Sequence, residues 1–171
     1  LEAANLTRAF LDQADFTAAD LRDGILDEVT LTRVVLVDAR LEPRVGQGTR
    51  LHLADLGGAD LTRANLTQAV LTQARLVGTT LVGAALGRAN LDAADAPGAN
   101  LEGASLVAAN LRRANFSGAR LVGASLHDSL LNATNFATWS PVTTWLPGSN
   151  QFTLPAATTN RANFYKLEVA P

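Results

Sequence analysis

From Leu1 onward a large apolar residue returns every five positions, a spacing that suits neither a helix nor a strand. Of the 28 positions 1, 6, 11 and so on to 136, 23 are Leu and three are Phe (Phe16, Phe116 and Phe136), with Gly46 and Ala96 the exceptions. Side chains return to one face every 3.6 residues in a helix and every two in a strand, so neither element could turn all these centres inward. A chain that rounds a corner after every fifth residue can. A second column lies two residues before each centre and is Ala at 19 of its 28 positions. The residue between the two is often Asp or Asn, as in Ala59-Asp60-Leu61 and Ala109-Asn110-Leu111, so the unit reads A-(D/N)-L-x-x.

Each side of such a coil sends one large and one small side chain inward. The predicted core therefore contains Leu61, Leu66, Leu71, Leu76, Leu81 and Leu86 with Ala64, Ala69 and Ala74, while the other three positions of each unit face solvent. Eight of the 13 glycines stand two residues after a centre (Gly48, Gly58, Gly78, Gly83, Gly98, Gly103, Gly118 and Gly123). In a four-residue turn that begins at the centre, this is the third position, where a type II turn needs positive φ. Type II corners are predicted there, and a different turn type where Arg, Gln or Asp occupies the position.

Over residues 1–140 the repeat resembles the pentapeptide-repeat family. The resemblance implies an all-β fold, a right-handed quadrilateral β-helix with four pentapeptides per coil, hence about seven 20-residue coils. At roughly 4.8 Å per coil the rod would stand about 34 Å tall. Residues 20 apart then stack, aligning Asp20-Arg40-Asp60, Asp55-Arg75-Asp95 and Glu2-Arg22-Glu42, with Arg8 under Glu28. Alternating signs between neighbouring strands are mildly favourable, each exposed pair contributing well under about 1 kcal/mol. Asn90 falls below Asn110 and Asn115 below Asn135, positions from which amide ladders could run up the stack.

The stretch 41–50, LEPRVGQGTR, departs from the unit, with Arg44 and Thr49 in the Ala column and Gly46 in place of a core Leu. Because the count resumes at Leu51, a distorted side with no net insertion is expected, and Arg44 and Gly46 become candidate interaction residues. Ala96-Pro97 is a smaller lapse. Residues 141–171 hold Trp145, Phe152, Phe164 and Tyr165 and read as a C-terminal cap with short strands. At the other end the repeat is already in register at Leu1. An uncapped solenoid end offers an open strand edge, which makes Leu1, Leu6, Leu11 and Phe16 candidates for pairing with a protein partner or with another copy.

No reactive constellation emerges. Without Cys there are neither disulfides nor thiolate metal sites. His52 and His127 both follow a Leu centre, on different columns, so a joint metal site is not expected. The carboxylates follow the repeat, and neither a phosphate-binding glycine loop nor a nucleophile elbow is present. A non-enzyme without cofactor is expected. A net charge of −2 argues against direct nucleic-acid binding, and no run of 18 apolar residues could span a membrane. Two functions remain. One is a structural or protein-interaction scaffold, self-associating through its open end. The other, which the family resemblance implies, is a DNA mimic binding a type II topoisomerase such as DNA gyrase. Residues 1–42 carry a net charge of −5 and residues 43–140 one of +2, so only the first coils offer the negative potential mimicry needs. Nor does the strand-like tail match the helical dimer module of those relatives.

Overall fold

A computed structural model describes residues 1–44, 48–126 and 128–130. Gly46, Asn135 and the whole of 141–171, including the expected cap, lie outside the described residues. Within them the chain is a β-solenoid held by isolated parallel bridges, with no helix. The bridging residue is always the one before a centre, and the bridges fall into four columns. The first runs through Asn5, Ile25, Arg50, Val70, Asn90, Asn110 and Leu130, and the second through Phe10, Thr30, Asp55, Arg75, Asp95 and Asn115. The third is Asp15, Val35, Asp60, Thr80, Asn100 and Arg120, and the fourth Asp20, Arg40, Asn65, Ala85, Ser105 and Ser125.

One side illustrates how a unit is built. Leu61 and Ala64 point inward at 1% and 0% exposure, and the Ala64 amide closes the corner on the Leu61 carbonyl at 3.0 Å. Leu61 and Arg63 donate to the coil above, at Thr80 O (2.7 Å) and Val82 O (2.9 Å), while Asp60 donates to Val34 O below (2.8 Å). Thus the backbone groups of a side that bears no regular strand are satisfied up and down the stack. Leu66, Leu71, Leu76, Leu81 and Leu86 are at most 1% exposed, and Ala69 and Ala74 0%. Full burial of each leucine stabilises by roughly 1.5–3 kcal/mol. The smallest described centre, Ala96, lies in the second column directly below one of the largest, Phe116, and both are buried.

The Asp or Asn before the centre acts locally. Its side-chain oxygen accepts the amide two residues on, as in Thr17 N to Asp15 Oδ1 (2.9 Å), Thr62 N to Asp60 Oδ1 (2.9 Å) and Glu102 N to Asn100 Oδ1 (3.1 Å). That amide opens the corner, and short polar side chains are suited to bracing it. Laddering is the lesser role: Asn110 Nδ2 reaches Asn90 Oδ1 at 3.0 Å, and Asn115 bonds Asp95 at 2.8 Å.

Three expectations need correction. The corners are alike, since 17 non-glycine residues, Arg8, Gln13 and Asp23 among them, hold the third position with φ between 51° and 61°, beside seven glycines at 63° to 70°. At most of them the amide bonds to the coil above, as Arg63 N does to Val82 O, and the geometry recurs whatever the residue. Second, the 41–50 stretch does contain a net insertion. Bridges link residues 20 apart except Ile25↔Arg50, Thr30↔Asp55, Val35↔Asp60 and Arg40↔Asn65, which are 25 apart. One side therefore has ten residues, and its turn closes from Thr49 N to Leu41 O at 3.3 Å. Pro43 supplies the cause. It stands two residues after its centre, the third position of the corner, where the other described corners have positive φ, and the proline ring locks φ near −65°. Pro97, one position earlier in its own corner, meets no such conflict. Third, the insertion shifts the charge columns, so Arg40 lies against Asn65 instead of Asp60.

Gly48 is accordingly no corner residue. It is buried, and a Cβ there would collide with backbone of the next coil, namely the Gln68 carbonyl group (2.6 Å to its carbon) and Ala69 N (2.8 Å). Thr49 takes the inward small position, and its hydroxyl donates to Leu21 O at 2.7 Å, as Thr79 does to Leu56 O at 2.8 Å.

Candidate functional site

With the interior filled, any site must lie on the faces, at the corners or at the ends. The terminal coil places Leu6, Leu11 and Phe16 partly buried against the core, with Leu1 56% and Phe10 83% exposed. Its amides at Leu6, Leu11 and Phe16 bond upward to Ile25, Thr30 and Val35 (2.8 Å each). Phe10 carried no signal in the repeat, because its position is simply an outward one.

Arginine supplies the cation in each of the nine ion pairs among the described residues. Most join successive coils: Arg8–Glu28 (2.8 Å), Arg75–Asp55 (2.8 Å) and Arg63–Asp38 (2.6 Å) are examples. Glu2, Arg22 and Glu42 do not pair as a column. Arg22 turns to Asp20, Glu42 receives Arg40, and Arg44 reaches down to Glu2 while its amide bonds Asp23 at 3.1 Å. Arg44 thus fastens the start of the ten-residue side to the coils below.

Asp20 accepts from Nε and Nη2 of Arg22, at 2.8 and 2.5 Å, and this pulls its pKa down to about 2. Hydrogen bonds likewise lower Glu28, Asp38 and Asp92, from Arg8, Arg63 and Arg113 respectively. A carboxyl whose folded pKa lies below its unfolded value of about 3.9 contributes stability above that value and loses it as pH falls toward the folded one. The melting temperature should therefore fall between about pH 4 and pH 2, and Asp20→Asn should flatten that descent. An identical acid limb in the variant would contradict the assignment.

At the second corner of the third coil, Gly57 and Gly58 leave bare backbone. Around it lies a recess of about 480 Å³ walled by Gln13, Thr32 and Arg33 below and by Arg75 and Val77 above. Arg75 leans over Gly57 so closely that a Cβ there would strike its Nη1. Asp55 Oδ1 holds that nitrogen at 2.8 Å and also accepts the Gly57 amide at 2.9 Å. The seven positive-φ glycines all occupy two adjacent corners that border the third column, whereas at the other two corners a side chain fills that position throughout.

His52, half-buried in the corner after Leu51, bonds Thr72 through Nδ1 (2.8 Å to Oγ1), and His127 lies outside the described residues. Among the described residues no group of three or more His, Asp or Glu could hold a metal ion, and no helix is long and apolar enough to cross a membrane.

The geometry is that of a β-solenoid whose units are five-residue sides. The chain belongs to the pentapeptide-repeat family: the family model for pentapeptide repeats matches residues 1–33, 49–86, 84–121 and 109–137 in eight copies, and the unmatched stretch 34–48 takes in most of the ten-residue side. Among solved structures it is similar to HetL, a pentapeptide repeat protein involved in heterocyst differentiation regulation from the cyanobacterium Nostoc sp. strain PCC 7120. Identity is 39% and the TM-score 0.74, over 75% of this chain. The chain spans 58% of HetL's length. It is also similar to Rfr23, a pentapeptide repeat protein from the cyanobacterium Cyanothece 51142, with 25% identity and a TM-score of 0.52 over 77% of this chain and 86% of that one. No curated protein matches the chain by sequence. Since two of every five positions are dictated by the interior, 39% identity requires no shared surface.

Proposed function

We propose that this chain is a non-catalytic protein-interaction scaffold, a right-handed four-sided rod over residues 1–140 with 141–171 as its cap. The observation that carries this reading is the filled interior. Leucine and alanine, with valine or threonine at Val29, Val34, Thr49 and Thr79, fill the axis of the described coils from Leu21 to Ala114, so recognition is left to the outer surface. There the side chains vary from coil to coil while the backbone stays regular, which suits a rigid support for contacts. Self-association belongs to the same reading, because parallel bridges of this kind can be continued by a strand from another copy.

DNA mimicry finds less support. The acidic excess ends near residue 42, and the arginine pairs neutralise much of it.

The test is site-specific photo-crosslinking in the native host. A photoreactive residue is placed in turn at Val70, Arg75, Thr80 and Ala85, the outward bridge positions of the four columns. Discrete adducts confined to one or two columns are expected. Adducts of equal yield from all four, or none from any, would refute the scaffold reading.

A further inference from the structure

We infer that the recess at Gly57-Gly58 binds a carboxylate, presented by an acidic side chain of a protein segment lying across the second corner of the rod. This deepens the scaffold reading and rests on it. The first ground is the state of its arginines. Nine described arginines have an acidic partner, whereas Arg33, in the wall of the recess, has neither an ion pair nor a side-chain hydrogen bond among the described residues. Arg75, on the opposite wall, contacts Asp55 through Nη1 alone, and a guanidinium has five N–H donors in a planar fork. Two guanidinium groups with donors to spare thus border one opening, an arrangement matched to planar carboxylate oxygens.

The second ground is space. Among the described corners this one alone has glycine in both exposed positions, so its floor is main chain. A recess of about 480 Å³ is large for an isolated ion and admits a side chain with part of its backbone. The third ground is charge. Asp55 sits beside Arg75, and Asp12 accepts the Thr32 amide and hydroxyl at the lower rim. These two carboxylates offset much of the arginine charge, which favours a monoanionic carboxylate over a phosphate dianion.

The test is titration of the isotope-labelled protein with N-acetyl-glutamate amide at constant ionic strength, following the Gly57 and Gly58 amides by NMR. Saturable shifts at millimolar ligand are expected, with none from N-acetyl-glutamine amide. Arg33→Gln should raise the half-saturating concentration roughly tenfold, the loss of one charge-assisted contact. Arg88→Gln removes an exposed guanidinium on another corner and should change nothing. Absence of saturation, an equal response to the glutamine derivative, or unaltered binding in Arg33→Gln would overturn the proposal. Tighter binding of inorganic phosphate than of the glutamate derivative would also overturn it. Because no partner protein is used, failure here leaves the crosslinking result standing, and failure there leaves this one.

Discussion

Leu76→Asp should yield no folded solenoid. Leu76 is 1% exposed, its amide is bonded to Asp95 O in the coil above at 2.6 Å and its carbonyl accepts Thr79 N at 3.1 Å, so the backbone cannot swing the side chain outward without breaking both the bond to the next coil and its own corner. A carboxylate at that site would be surrounded by leucine and alanine with no cation in reach. An unpaired buried charge costs several kcal/mol, comparable with the whole stability of a small domain. The damage would spread, because each coil is stable only through its neighbours. Circular dichroism and size exclusion of the purified variant should show loss of the native β spectrum and aggregation. Leu76→Ala, which removes volume alone, should fold with a loss of about 2–5 kcal/mol. A native spectrum from the aspartate variant would mean that the inward column is wrongly assigned.

The second large effect separates two glycines that the bare sequence makes look alike. Gly48→Ala should destabilise by about 2–4 kcal/mol, since the added Cβ must push apart two coils at Gln68 and Ala69, where the obstacle is main chain. Gly78→Ala should stay within about 1 kcal/mol of the parent. Its φ is +63°, but alanine already holds that conformation at Ala93 and Ala108, and a Cβ at Gly78 would meet nothing within 4 Å. Urea unfolding of the two variants makes the comparison. Equal midpoints would show that Gly48 is not pressed against the next coil.

What could be read in advance followed from how strongly each position is constrained. Inward positions have one environment, so Leu61 and Ala64 announced the period. Corner geometry was legible only where glycine marked it, because upward hydrogen bonds impose positive φ on Arg63 and Gln68 as firmly as on Gly58. Counting by fives returned to phase at Leu51 and so concealed the inserted side. Pro43, two residues after Leu41, was the clue, since no proline can take a corner with positive φ. The carboxylate recess was hidden for another reason. Gln13, Thr32, Gly57 and Arg75 are far apart in sequence, and only the stack, with its coil of 25 residues, brings them to one edge.

The ten-residue side has a consequence for how such a chain can change length. Remove Pro43 through Gln47 on paper and what remains is Leu41-Glu42-Gly48-Thr49-Arg50, an ordinary unit with glycine in the corner's third place. Every coil above would keep its partner, because Leu51 already follows Leu41 around the axis. Those five residues are therefore a parenthesis in an otherwise continuous text. At this place the polypeptide can grow, shrink or be rewritten while the rest of the rod reads the same.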